Sequence, residues 1–255
     1  MQSGGGGRRL IFIRLLESDV QKKEKIDKCL ARNDIDGAKN AAWAMEDLRH
    51  KVFEFCRIIL RELKSGGSLD FAIGEIYLLK SYVEKIKGGA YAQAIALDRI
   101  ALTQHELGAE SYEVERTFDR AMEIMGGEGH GPRDKISFLF HQAECRHDLG
   151  FAGAAGMLEE ALNISHKLLE SNGDELAAGD AIHTMRAIAY KLNLVSGDVG
   201  RVLEILDEAE SRVGKIRQPG EKMIALHAIQ QERKIYASRL DIGALDPNFL
   251  DALQN

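Results

Sequence analysis

One short stretch of the chain carries residue types that could bind a metal ion. His141 and Cys145 are four residues apart in a segment of helical periodicity, and His147 follows. One helical turn places His141 and Cys145 on the same face, and imidazole nitrogen and thiolate sulfur are both zinc ligands. A tetrahedral site needs two further ligands, and no CxxC or HExxH motif supplies them. We therefore expect packed or solvated side chains here, with no metal site and no cofactor.

A glycine-rich loop and two histidines at helix ends could offer other chemistry. The loop GGEGHGPRD (126–134) lacks both a preceding strand and the lysine and hydroxyl of a P-loop, so it is not a phosphate cradle. It is better explained as a turn in which Pro132 opens the next helix. His105 and His147 end helices in matching positions, where a cation complements the helix dipole. Since no nucleophile–base arrangement has local support, the sequence predicts a protein that is not an enzyme.

The composition is typical of a helical protein with a well-solvated surface. Of 255 residues, 45% are hydrophobic, 29% are charged and only three are prolines, which permits long helices. The net charge is −6, and no basic stripe follows residue 65, so we expect no nucleic-acid partner. No apolar run reaches the about 18 residues of a membrane span, so we expect no membrane partner. Three widely spaced cysteines fit a reducing compartment and predict a cytoplasmic protein.

Helical periodicity covers almost the whole chain. In DFAIGEIYLLKSYVEKI (70–86), apolar residues recur at three- and four-residue steps, which stacks them on one face. Glycine-centred breaks separate such stretches, because glycine readily adopts the left-handed conformation at a helix end. The segment 36–64 either runs unbroken or breaks near His50. The pattern predicts about ten helices, with approximate spans 9–32, 36–64, 69–87, 90–107, 110–125, 133–149, 152–170, 174–194, 199–213 and 220–240.

Two of these helices end in nearly the same four residues, HELG (105–108) and HDLG (147–150). The preceding stretches, and a third copy ending at Gly197, share a small residue in mid-helix: Ala101, Ala143 and Ala189. The returning helices carry a second small residue: Ala121, Ala161 and Ala209. An alanine in mid-helix lets a neighbouring helix approach closely. Because one such hairpin cannot bury its apolar face alone, we expect the copies to stack.

This pattern resembles the tetratricopeptide repeat over roughly residues 90–240. That family places a large and then a small residue in the first helix, a glycine turn, and alanines in the second helix. The best copy here is Met185, Ala189, Gly197 and Ala209. The copies are longer than the family's repeat of about 34 residues and lack its Trp and Tyr. The resemblance implies an all-α fold, a right-handed α-solenoid of antiparallel helix hairpins.

Four parts of the chain are expected from these patterns. Residues 1–8 form a flexible leader, and 9–88 form N-terminal helices that are either divergent repeats or a capping bundle. Residues 89–242 form the repeat array. Residues 243–255 form a tail in which a short helix begins at Pro247.

By resemblance to tetratricopeptide proteins, the concave groove of such an array would bind a peptide or helix of a partner protein. Residues one step off the core positions mix charge, hydrogen bonding and aromatic area, and are the expected lining: Asp98, His105, Phe140, Glu144, Arg186 and Tyr190. The alternative is a sensor or scaffold part of a regulatory system. In that role the N-terminal helices, including the apolar LIFIRLL (10–16), would mediate self-association into a homo-oligomer. The sole tryptophan, Trp43, is expected to fill space between helices, although an exposed tryptophan is typical of a binding site.

Overall fold

The computed structural model describes residues 6–87, 89–127, 130–170 and 175–243, with side chains for 18–87, 89–127, 130–170 and 178–238. Within these ranges the fold is all-α, with no β-strand, and a 3-10 helix, Val213–Lys215, lies between the last two α-helices. None of the described helices combines the length and apolarity needed to cross a membrane. The helix expected at Pro247 lies outside the described residues. The α-helices are α1 Gly6–Ala31, α2 Ile35–Trp43, α3 Leu48–Lys64, α4 Leu69–Val83, α5 Gly89–Glu106, α6 Ser111–Gly126, α7 Pro132–Asp148, α8 Ala154–Glu170, α9 Glu175–Ser196, α10 Val199–Arg212 and α11 Pro219–Gly243.

The chain forms two compact units, Met1–His130 and Gly131–Asn255. Within each unit every helix packs against the next helix in the sequence. In the first unit α3 also contacts α1 and α5, and in the second α9 also contacts α11. Helix hairpins stacked with their first helices side by side form an α-solenoid. The predicted fold class is therefore confirmed. The right-handed superhelix and the start of the array at residue 89 stay predictions.

The mid-helix alanines lie where helices touch. All six are completely or almost completely buried: Ala101, Ala121, Ala143, Ala161, Ala189 and Ala209. Large side chains of the same helices are also fully buried, among them Phe118, Phe138, Leu158 and Met185. Protein interiors are close-packed, so an alanine at such a contact fixes how near the two helices come.

The repeated ending HELG closes a helix by a defined backbone geometry. Gly108, Gly150 and Gly197 have φ values of 77°, 73° and 67°, in the left-handed region that favours glycine. After α5, the N–H of Ala109 donates to the carbonyl of Gln104 at 3.0 Å, which completes a Schellman-type turn. Each glycine therefore ends one helix and redirects the chain into the next.

The segment 36–64 is two helices, separated at residues 44–47. This confirms the alternative of a break near His50, and α3 begins where it does because Asp47 caps its first turn. The Asp47 carboxylate accepts the N–H groups of Arg49 at 2.8 Å and of His50 at 3.0 Å, which is a helix N-cap.

Asp19 of α1 holds the α2–α3 connection from the neighbouring helix. Its carboxylate accepts the backbone N–H groups of Glu46 at 3.2 Å and Asp47 at 3.1 Å, and the Lys22 ammonium at 3.3 Å. Burial acts to raise the pKa of Asp19. The two backbone donors and Lys22 outweigh it, so the pKa lies below its ordinary value. The carboxylate thus stabilises the connection most when it is ionised.

Replacing Asp19 by alanine should lower the free energy of unfolding by about 1–3 kcal/mol at neutral pH, because two backbone donors lose their acceptor. The folded pKa lies below the unfolded value, so the contribution is present above about pH 4 and is lost as the pH falls through the folded pKa. Urea unfolding at several pH values measures it. Asp19→Asn keeps an acceptor oxygen and should lose less. A deficit that stays constant down to strongly acidic pH would contradict this account.

Enlarging a contact alanine should destabilise the second unit. Ala143→Leu should lower the free energy of unfolding by about 1–3 kcal/mol, because its position is packed against a neighbouring helix. The matched control is Ala237→Leu on the exposed side of α11, with an expected change within about 0.5 kcal/mol. Denaturant unfolding of both variants decides the matter. Equal losses would show that Ala143 sets no helix spacing.

Candidate functional site

In the second unit, the exposed side of α9 carries a stripe of uncharged or weakly polar side chains. Four residues at three- and four-residue steps form this α9 stripe: His183, Ala187, Tyr190 and Leu194. Tyr190 and Leu194 are 56% and 54% exposed, whereas the opposite side of α9, with Met185 and Ala189, is buried. The same helix therefore packs the core with one side and presents an aromatic and an aliphatic side chain with the other.

One edge of the α9 stripe is bounded by contacts with α7. Lys191 forms an ion pair with Glu144 of α7. The Lys191 ammonium also lies 5.3 Å from the centre of the Phe140 ring, within the range of a cation–π contact. The positive charge of Lys191 is therefore balanced at this edge by groups of the neighbouring repeat.

The other edge is bounded by contacts with α11. The Arg186 guanidinium donates to both carboxylate oxygens of Glu232, at 3.1 Å and 2.6 Å, and its third nitrogen lies 3.3 Å from His183 Nδ1. A two-point contact of this kind fixes the plane of the guanidinium. Beside it is a cavity of about 260 Å³, lined by His183, Arg186, Ala187, Tyr190, Glu232 and Tyr236.

The two ion pairs connect helices that occupy equivalent places in successive repeats. Lys191 and Glu144 are 47 residues apart, and Arg186 and Glu232 are 46 residues apart. They link α7 to α9 and α9 to α11, so the helices on both sides of the α9 stripe are held in place. A surface fixed before binding loses little conformational entropy when a partner binds.

Four of the six residues predicted to line a groove lie on this surface: Phe140, Glu144, Arg186 and Tyr190. The other two belong to α5 in the first unit. The prediction that Asp98 lines the groove was wrong, because Asp98 is 0% exposed and so lines no accessible surface. Its position, one residue after Leu97 and three before Ala101, falls on the inward side of α5. His105 is exposed near the end of α5.

Sequence reasoning missed Lys191, Leu194 and Glu232. Leu194 could have been found from helix phase, because it lies four residues after Tyr190 on the side opposite Ala189. Lys191 and Glu232 had a weaker signal in the sequence, because each is marked only by an opposite charge about one repeat away. That signal depends on the repeat length, which the degenerate copies leave variable.

The pair considered for metal binding does share one face of α7. The Cys145 sulfur lies 3.9 Å from His141 Nδ1 and 3.7 Å from Nε2. Burial lowers the pKa of His141, against the opposing effect of Glu144. Among the described side chains, no group of three or more His, Cys, Asp and Glu is arranged to hold a metal ion.

The first unit has a larger cleft of about 920 Å³ between α4 and α6, with Leu97 of α5 at its base. Lys80 donates to the Thr117 hydroxyl at 2.8 Å, and the Tyr77 hydroxyl donates to Glu113 at 3.2 Å. These bonds cross the cleft and join its two walls. Burial lowers the pKa of Lys80, against the attraction of Glu113. Side chains of both charges line this cleft, and none of them was predicted from the sequence.

Comparison with known proteins gives a likeness of fold. No protein-family model matches the chain, and no curated protein sequence matches it significantly. The crystal structure of Ton1535 from Thermococcus onnurineus NA1 is similar, with a TM-score of 0.53 and 15% sequence identity over 87% of this chain. The chain spans 63% of that structure's length. At this identity the likeness shows the fold alone, an all-helical, repeat-like architecture.

The contact of Arg186 with Glu232 should be measurable as a coupling energy. A double-mutant cycle with Arg186→Met and Glu232→Gln should give about 1 kcal/mol, because both side chains are largely withdrawn from water, and high salt should reduce it. The reference is a cycle on the exposed pair Arg120–Glu123 within α6, expected at about 0.3 kcal/mol. If the two cycles agree, the ion pair does not fix α9 against α11.

Proposed function

We propose that this chain is a non-enzymatic protein-interaction module built from tetratricopeptide-like hairpins. Its contact surface for a peptide or helix of a partner protein is the α9 stripe. The observation that carries the proposal is the exposure of Tyr190 and Leu194 between two edges of balanced charge. Exposed aromatic and aliphatic side chains framed by polar groups are typical of protein-binding surfaces.

The shape of the stripe favours a partner with a short apolar segment. A side chain of the partner would enter the cavity beside Tyr190, where the Arg186–Glu232 pair forms one wall. Polar groups of the partner would meet His183 and Arg186, which offer hydrogen bonds at that wall. The apolar contact would supply most of the affinity, and the polar groups would set the register.

Small residues at matching positions of successive hairpins support the tetratricopeptide-like assignment, since Ala101, Ala143 and Ala189 are all buried. The three cysteines are free thiols, which supports a cytoplasmic location.

A scaffold role with self-association through the N-terminal helices is the second candidate. The feature that favours it is α4, which exposes Phe71 and Leu78 on either side of Gly74. The side chains of 10–16, also expected to mediate self-association, lie outside the described residues. Light scattering separates the candidates, since a dimeric mass that persists on dilution would favour the scaffold role.

Combining Arg186→Ala with Tyr190→Ala should abolish peptide binding without unfolding the protein. Peptides would be selected against the unmodified chain from a displayed random library, and their affinities would then be measured for each variant. We expect at least about a thirtyfold loss, because the double variant removes an aromatic anchor and one wall of its cavity. The circular dichroism spectrum should be unchanged.

The matched control is Arg120→Ala with Tyr112→Ala, the same residue types at exposed positions of α6. It should retain full affinity for the selected peptides. Failure of the library to yield any binder, or full binding by the Arg186→Ala, Tyr190→Ala variant, would refute the assignment of the α9 stripe.

A further inference from the structure

Trp43 packs between helices, as the sequence predicts, and part of its side chain also lies at the surface of the first unit. It is 41% exposed, at the end of α2. Its ring centre lies 4.6 Å from that of Phe55 in α3 and 5.7 Å from that of Tyr82 in α4, the latter in an edge-on geometry. Phe55 is buried, and its ring packs against the ring of Trp43. Three helices thus hold one tryptophan in a fixed orientation with part of its ring facing solvent.

Two lysine ammonium groups lie over the rings of Trp43 and Tyr82. Lys51 Nζ is 5.7 Å from the centre of the Trp43 ring, and Lys85 Nζ is 5.3 Å from the centre of the Tyr82 ring. Each ammonium is within the range of a cation–π contact. No carboxylate among the described side chains forms an ion pair with Lys51 or Lys85, unlike the charges that bound the α9 stripe.

The environment of Lys51 favours an incoming carboxylate. Burial lowers the pKa of Lys51, and this outweighs the attraction of Asp19. The Asp19 carboxylate is already engaged by the backbone N–H groups of Glu46 and Asp47. A partly desolvated ammonium interacts more strongly with a negative charge than an ammonium surrounded by water does.

The apolar part of this surface extends along α4. Leu78 is 47% exposed and lies one helical turn before Tyr82. Lys85 lies just beyond the end of α4, where its ammonium group lies over the Tyr82 ring. Leu78 and Tyr82 therefore share one side of α4, and Tyr82 joins this side to Trp43, with one ammonium over Trp43 and another over Tyr82.

We propose that Trp43, Leu78 and Tyr82, together with Lys51 and Lys85, form a second binding site in the first unit. Its ligand is an acidic segment of a partner protein in which aliphatic side chains lie between carboxylates. The aliphatic side chains pack on Trp43 and Leu78, and the carboxylates neutralise the two ammonium groups. Tryptophan and tyrosine are enriched among the residues that dominate binding surfaces.

Charge complementarity selects an acidic polypeptide over a nucleic acid. Nucleic-acid binding requires an extended row of cations that neutralises many phosphates. This surface offers two ammonium groups beside apolar side chains, in a chain of net charge −6. A single-stranded oligonucleotide is therefore the competing occupant that the experiment must exclude.

The fluorescence of Trp43 tests the proposal directly, because it is the only tryptophan in the chain. The full chain is titrated with the peptide Ac-Glu-Asp-Leu-Leu-Asp-Glu-NH2 at low salt. We expect a saturable change in Trp43 emission. Lys51→Gln combined with Lys85→Gln should raise the dissociation constant about tenfold, and Lys85→Gln alone about threefold. The single variant keeps the test valid if the double variant does not fold.

The matched control is Lys28→Gln with Lys64→Gln, two exposed lysines of the same unit with the same change in net charge. It should leave the dissociation constant within about twofold of the original. The proposal would be overturned by the lack of a saturable response, by equal weakening in both double variants, or by equal affinity for the same peptide with serines in place of its leucines. Tighter binding of oligothymidine than of the peptide would also overturn it.

Discussion

The structure depends on one constraint, that no hairpin of this chain can bury its apolar face without the next hairpin. Ala101, Ala143 and Ala189 lie where first helices meet their neighbours, and all three are buried. Their small side chains allow the close approach that larger neighbours then fill. Stability in such an array is the sum of many nearest-neighbour contacts, so each interface between neighbouring hairpins must be well packed by itself.

Polar contacts align the helices that this apolar stacking brings together. In the second unit they join helices one repeat apart, as in the bidentate contact of Arg201 in α10 with Glu159 in α8, 42 residues away. Arg201 lowers the pKa of Glu159, a sign that the carboxylate is stabilised in its charged form. Lys191 and Arg186 of α9 form ion pairs with Glu144 and Glu232, and these pairs frame the exposed side of that helix. The α9 stripe is thus a by-product of how the repeats are aligned. Around Trp43, by contrast, Lys51 and Lys85 form no ion pair with any carboxylate whose side chain the structure describes.

The fold was predictable because helix periodicity and glycine breaks are local signals. Gly108, Gly150 and Gly197 marked helix ends within a few residues, since a positive φ is required there. A break near His50 was one of two alternatives that the sequence left open, because part of what holds the connection at 44–47 is Asp19, a residue distant in sequence. The side chains of the candidate site were predictable only as far as helix phase was known. A shift of one residue separates buried Asp98 from an exposed position, and sequence alone gives no such resolution where repeats are degenerate.

Hydrogen exchange of the backbone amides, followed by mass spectrometry, tests the central constraint most directly. Local stability follows burial, so the amides of α7 and α9 around Ala143 and Ala189 should be among the slowest to exchange. The Ala143→Leu variant should speed exchange in both helices together, because they belong to hairpins that shield each other through α8. Fast exchange in α7 and α9 of the unmodified chain, or an effect of the variant confined to α7, would contradict the account.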